Sequence, residues 1–187
     1  MRAFLAVELS DAIRDSLREF MAPLQRLDVP VKWTRPENLH LTLKFLGDVP
    51  EENVPAVIEI ATSASHGLAE TALTIEGAGA FPNLKRPRVL FVKGADDPPV
   101  LEELARRLNR NLTRAGVPKE ERGFKVHVTL GRARRPRPAP ELAHRLARDG
   151  EQCFGTMRVD HFTLMQSELT AAGPIYTPVA KVELNTA

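Results

Sequence analysis

A single cysteine, Cys153, stands in this chain of 187 residues, which excludes an internal disulfide and any metal site built from cysteines. Long apolar runs are missing too: no stretch approaches the roughly 20 residues a membrane-spanning helix needs. The opening Met1-Arg2-Ala3-Phe4-Leu5-Ala6-Val7-Glu8 meets an acidic side chain too soon for a signal peptide and reads as a short first strand. A cytoplasmic location is the expectation. Nor does one sign of charge dominate. The 26 Lys and Arg against 24 Asp and Glu leave a net +2, which argues against a basic protein that coats nucleic acid at large.

What positive charge there is lies in clusters. Lys85-Arg86-Pro87-Arg88 is one, and Arg132-Ala133-Arg134-Arg135-Pro136-Arg137 another, with Lys119, Arg122 and Lys125 between them. Such clusters either track a phosphate backbone or form solvated loops. With 43% hydrophobic and 27% charged residues, the chain can fill one sizeable domain or two small lobes sharing an interface.

Hydrophobic periodicity supplies the elements. Phe4–Leu9 reads as a strand. Ser10 is placed to cap a helix reaching about Leu27, with Ile13, Leu17, Phe20, Met21 and Leu24 on one stripe. Strands are predicted at Val31–Thr34, Asn38–Phe45, Leu73–Glu76 and Val89–Val92, with a helix from Glu51 to about Ser65. The order then restarts. A helix follows from Pro98 to about Ala115, a strand over Phe124–Leu130, a helix over Glu141–Arg148, a strand over Arg158–Met165 and a last strand around Val179–Leu184. The Pro- and Arg-rich stretch from Arg134 to Pro140 reads as a connection inside the second half.

One offset organises this list. Phe4 and Phe91 differ by 91 − 4 = 87 positions, and His40 and His127 by 127 − 40 = 87. The helix near Asn53 and the strand near Ala72 find counterparts near Pro140 and Val159 at the same offset. The expected fold is therefore α+β: a bilobal, pseudo-duplicated single domain spanning residues 1–187. Two mostly antiparallel sheets would flank a central cleft, with helices on their outer faces.

The repeated tetrapeptides are His40-Leu41-Thr42-Leu43 and His127-Val128-Thr129-Leu130. Strand alternation puts each histidine and threonine on one face and the apolar residues on the other. Either motif alone is a commonplace strand. A matched pair facing one cleft suits in-line displacement at phosphorus: one neutral imidazole accepts a proton from the attacking oxygen while the other, protonated, gives one to the leaving oxygen. Histidine fits because its unperturbed pKa of ~6.5 lets both forms coexist near neutrality. The Thr42 and Thr129 hydroxyls can donate hydrogen bonds to the non-bridging oxygens. A metal would want carboxylates or further histidines beside the motifs, and neither motif has them; no metal or cofactor is expected.

These motifs, with Leu41-Thr42-Leu43-Lys44-Phe45-Leu46-Gly47, Pro87-Arg88-Val89-Leu90-Phe91-Val92 and His127-Val128-Thr129-Leu130-Gly131-Arg132, resemble the 2H phosphoesterase superfamily. Within it they resemble the RNA 2',3'-cyclic phosphodiesterases, also called 2'-5' RNA ligases, from Arg2 to about Leu184. The resemblance implies hydrolysis of a terminal 2',3'-cyclic phosphate to a 2'-phosphomonoester, with His40 as proton donor and His127 as proton acceptor. Those two roles follow from the resemblance alone, because the halves are chemically alike. It further implies phosphate-holding roles for Thr42 and Thr129, and ligation when a 5'-hydroxyl replaces water. The implied partner is RNA with a 2',3'-cyclic phosphate end, tRNA fragments among the candidates; no membrane partner is expected, and a monomer is.

Alternation puts Lys44 on the His40 face, where it could meet a phosphate, and Phe45 in the core. Arg132 matches a basic family position but falls opposite His127 unless the strand ends or bulges at Gly131; it is kept as a phosphate ligand. Trp33 and Phe81 either stack on a base or pack, and Tyr176, in a Gly-Pro-Ile-Tyr turn, is a further stacking candidate. His66 and His144 read as solvated, His161 is given no role, and Glu37 and Asp48 read as loop charges. Three rivals remain open: a relative acting on another 2'-5' or cyclic nucleotide, a binding module for RNA ends without activity, and a metal-dependent phosphodiesterase, whose activity a chelator would abolish.

Overall fold

Five successive buried residues, Ala3 to Val7, make β1 (Arg2–Glu8) a strand covered on both faces, as an unbroken apolar run predicts. Ser10 ends it and caps α1 (Asp11–Gln25): its Oγ accepts a hydrogen bond from the Ile13 N–H at 3.4 Å. The predicted stripe of Ile13, Leu17, Phe20, Met21 and Leu24 is buried in full. The computed structural model describes residues 1–134 and 138–184; Arg135, Pro136 and Arg137 of the second basic cluster lie outside the described residues.

The remaining elements are β2 (Val31–Trp33), β3 (His40–Asp48), α2 (Val54–Ser65), β4 (Thr71–Phe81), β5 (Val89–Gly94), α3 (Pro99–Arg114), β6 (His127–Ala133), α4 (Pro140–Arg148), β7 (Cys153–Val159), β8 (His161–Thr170) and β9 (Gly173–Glu183). A 3-10 turn at Pro36–Asn38 leads into β3, and another at Glu51–Asn53 opens the second helical region. Strand pairing runs β7-β4-β5-β6-β3-β1-β8-β9, every pair antiparallel, with β2 on β6. At the middle of this order β3 and β6 share a single paired position, Leu41 with Val128. The two expected half-sheets are thus stitched into one continuous sheet at one point. Beyond it the strands part, and β2 takes the edge of β6 at Gly131–Ala133.

Gly131 is what lets β2 approach. A Cβ there would stand 2.7 Å from Val31 Cγ1 and 3.2 Å from the Lys32 carbonyl oxygen. One face of the sheet, through Leu5, Val7, Leu41, Leu43, Val128 and Leu130, shares a single core with the apolar stripes of all four helices. On the other face Phe4, Ala6 and Met165 form a small separate cluster, with Tyr176 against it. Among the described residues no helix is long and apolar enough to cross a membrane.

Two departures from the sequence reading shape the site. The single strand expected over Arg158–Met165 is two, β7 and β8, parted at Asp160. The last strand begins at Gly173, so Tyr176 lies in β9 and not in a turn.

Candidate active site

The two imidazoles are held in the same way. His40 Nδ1 is 2.7 Å from the Asn38 carbonyl oxygen, and His127 Nδ1 is 2.8 Å from that of Lys125. A carbonyl only accepts, so each Nδ1 carries the proton, and Nε2 is left as the working nitrogen of each neutral ring. Both bonds reach back two residues, and Asn38 and Lys125 are themselves 125 − 38 = 87 apart. The supporting segments are in turn fastened. Asn38 donates through Nδ2 to the Pro174 carbonyl at 2.8 Å, and Arg35 to that of Ala172 at 2.8 Å. On the other side Asp97 accepts from the Val126 N–H at 2.7 Å and from Lys125 Nζ at 2.6 Å.

Nε2 of His40 lies 3.0 Å from Thr42 Oγ1, so in the neutral ring the threonine hydroxyl donates to it. The His40 ring packs against Phe4 at 4.7 Å and stands perpendicular to Tyr176 at 5.3 Å. This burial pushes the imidazole pKa down; the Asn38 carbonyl partly offsets it, and the charge of His127 adds to the lowering. Burial also pushes the Tyr176 phenol up, although Arg132 and Arg2 pull the other way. His127 is exposed and meets Phe91 edge-on at 6.4 Å.

A cavity of about 320 Å³ is lined by His40, Thr42, His127, Thr129 and Arg132, with Arg2, Phe4, Asn38 and Tyr176 around them. No carboxylate lines it among the described residues. Two arginines and two imidazoles around hydroxyls make a place for an anion, not for a hard cation.

Alternation misplaces two side chains here. Lys44 does not face the cavity: only 1% of it is exposed, and its Nζ donates to Asn109 Oδ1 at 2.9 Å and to the Pro118 carbonyl at 2.7 Å. Its ammonium pKa is pushed down by burial, which Glu120 partly offsets. Phe45, assigned to the core, is 58% exposed and lines the cavity. The cause is a β-bulge. Leu5 pairs with Lys44 and Ala6 with Thr42, so Leu43 has no partner and the faces exchange beyond it. The same irregularity recurs in β6, where Leu90 pairs with Gly131 and Phe91 with Thr129, skipping Leu130. It turns Arg132 onto the His127 face, as a bulge at this place requires.

Trp33 packs against the core at Gly131 and lines no part of the cavity. Phe81 lies away from this cavity, half exposed at the end of β4. His161 is bound to Asp160 at 2.5 Å, with Glu183 close by, and does not line the cavity; His66 and His144 are exposed. The sequence reading missed Arg2, Phe4 and Asn38 as cleft residues. Alternation along β1 marks Arg2, Phe4 and Ala6 as one face, and the 87-residue offset pairs Phe4 with Phe91 beside the other histidine.

The family model described as LigT like phosphoesterase matches residues 7–91 and 95–176. A protein of Methanothermobacter thermautotrophicus named RNA 2',3'-cyclic phosphodiesterase is 38% identical over 177 residues, 95% of this chain and 95% of that one. Its namesake in Archaeoglobus fulgidus is 37% identical over 176 residues, 94% of this chain and 96% of that one. Among solved structures, a Thermus thermophilus protein superposes with a TM-score of 0.81 at 33% identity, covering 98% of both chains. E. coli LigT complexed with 3'-AMP does so with a TM-score of 0.76 at 27% identity, over 98% of this chain and 97% of that one.

Proposed function

This chain belongs to the LigT-like phosphoesterase family, and from that premise we propose that it hydrolyses 2',3'-cyclic phosphate ends of RNA to 2'-phosphomonoesters. The observation that carries the reading is the matched pair of imidazoles. Each is fixed through Nδ1 to a backbone carbonyl, and both line one cavity with Thr42 and Thr129. The relatives named RNA 2',3'-cyclic phosphodiesterase supply the substrate, and E. coli LigT has been crystallised with 3'-AMP and with phosphate.

In this reading His127 Nε2 takes a proton from water, whose oxygen attacks phosphorus in line with the P–O3' bond. That bond breaks, O3' leaves with the proton of His40 Nε2, and the phosphate stays on O2'. Thr42, Thr129 and Arg132 face the non-bridging oxygens, whose charge grows in the transition state. His40 is held toward neutrality before substrate arrives, so the anionic substrate has a second task. Its charge raises the His40 pKa and recruits the proton that the leaving oxygen needs. No metal enters this scheme. A 5'-hydroxyl in place of water would yield a 2'-5' linkage by the same steps.

The proposal includes a single domain made of two half-repeats. Support comes from pairs that keep the 87-residue offset, Asn38 with Lys125, Thr42 with Thr129, the bulged Leu43 with Leu130, and Phe45 with Arg132.

The test is a short RNA ending in a 2',3'-cyclic phosphate, incubated with the protein in EDTA and resolved into 2'- and 3'-phosphate products. Conversion to the 2'-phosphate, lost in His40→Ala and His127→Ala, is the expected result. Dependence on a divalent cation, or a 3'-phosphate product, would overturn the mechanism.

A further inference from the structure

Beside His127 the cleft opens into a second and larger space. It measures about 1120 Å³ and shares Thr42, Phe45, His127, Thr129 and Arg132 with the first cavity, so the two are wings of one groove. The first wing, at about 320 Å³, is at the small end of ligand pockets: room for a terminal nucleoside and its phosphate. A longer strand must leave it, and the continuous path leads past Phe45 and Phe91 to Phe81.

Phe81 is 50% exposed, and the Arg122 guanidinium carbon stands 5.5 Å from its ring centroid. Exposed phenylalanines with an arginine over one of them leave apolar surface uncovered and charge unpaired together, the combination that takes up a stacked base and a phosphate. Arg122 makes no ion pair among the described residues, whereas Lys125 is bound to Asp97 and Lys119 to Glu121. Of the carboxylates lining this wing, Asp97 and Glu121 are thus each neutralised by a lysine. Glu120 accepts the Phe45 N–H at 3.2 Å, and Asp96 has no cation partner among the described residues.

The loop that carries Arg122 is built onto the catalytic strand. Buried Lys44 holds the Pro118 carbonyl. Asn109 accepts the Glu120 N–H at 3.0 Å and donates to the Glu120 carbonyl at 2.9 Å. Residues 118–120 are therefore pinned to β3, directly after the His40 motif, through Lys44 and the Phe45 N–H, and to α3 through Asn109.

We propose that this second wing binds the nucleotide 5' to the cyclic-phosphate end, its base stacked on the exposed phenylalanines, Phe81 foremost, and its internucleotide phosphate held by Arg122. The inference rests on the reading of the first wing as the site for an RNA end. It makes the protein selective for RNA strands over cyclic mononucleotides.

The experiment compares cyclic 2',3'-AMP with the dinucleotide ApA ending in the same cyclic phosphate, using the intact protein, Phe81→Ala, Arg122→Ala and Phe81→Trp. The dinucleotide is expected to have a kcat/KM at least about tenfold higher, in line with the worth of one stacked base. Phe81→Ala and Arg122→Ala should each lose about tenfold on the dinucleotide and stay within about twofold on the mononucleotide, with Phe81→Trp restored. Equal losses on both substrates, or no preference for the dinucleotide in the intact protein, would overturn the second wing while leaving the phosphodiesterase reading in place. Binding of fluorescent ApA 2'-phosphate gives a readout independent of turnover. An unchanged Kd in both alanine variants counts against the wing even if no substrate is hydrolysed.

Discussion

Leu41 and Val128 form the one paired position between β3 and β6. One step along the antiparallel register in either direction sets His40 across from Thr129, and Thr42 across from His127. All four side chains line the one cavity, with the Thr42 hydroxyl 3.0 Å from His40 Nε2. Because the strands part beyond this point, the site has a floor at the bridge and open space on both sides.

Replacing either histidine should remove one half of the proposed proton relay. His40→Ala and His127→Ala are each expected to lower kcat by about 10²–10⁴-fold with little change in thermal stability for the exposed His127. Rapid-quench kinetics on a cyclic-phosphate RNA reads the first effect and calorimetry the second. A variant retaining full kcat would remove that histidine from the chemistry.

The depressed pKa of His40 has a direction in pH. In the free protein its NMR titration midpoint should lie below 6.5, and bound 2'-phosphate product should move it upward. With His40 as the proposed proton donor, kcat/KM should begin to fall above that low midpoint, while kcat, set by the complex, should persist to higher pH. Folding follows the same shift. The stability from keeping His40 neutral is fully present above the unfolded value near 6.5 and is lost as pH falls through the lower folded value.

Lys44 and Arg132 should separate cleanly. Lys44→Met leaves the Pro118 carbonyl without its buried donor, and a cost of about 1–3 kcal/mol in urea unfolding is expected, with KM for a cyclic mononucleotide nearly unchanged. Arg132→Ala should do the reverse, weakening phosphate binding about tenfold or more at nearly constant stability. A large KM effect from Lys44→Met alone would return that lysine to the phosphate.

Gly131→Ala forces a methyl group against Val31 and the Lys32 carbonyl. It should displace β2 and destabilise the fold by about 1–3 kcal/mol, seen as a lower denaturation midpoint. The equivalent change at Gly47, where an added Cβ meets nothing within 4 Å but φ is +72°, should cost about 1 kcal/mol through backbone strain alone.

Much of this was legible in the chain. The α1 stripe, the Ser10 cap and the paired His-x-Thr motifs follow from periodicity and spacing, which act over a few residues and survive without knowledge of partners. Strand lengths were harder. β4 runs on past Gly77 and Gly79 to Phe81 because β5 pairs with it from Ala78 to Phe81, and glycine-containing sequence alone does not ask for a strand there.

By itself the sequence determined which residues could do chemistry: two imidazoles and two hydroxyls, repeated at one offset, on strands with apolar opposite faces. Tertiary structure alone decided which neighbours join them. A bulge is chosen by strand pairing and not by composition, and the bulges at Leu43 and Leu130 turned Phe45 and Arg132 toward the cleft and sent Lys44 into the core. Tyr176 reached His40 only because β8 and β9 fold back beside β1. Contacts across more than a hundred residues depend on which surfaces bury one another, and no local pattern in the chain records that choice.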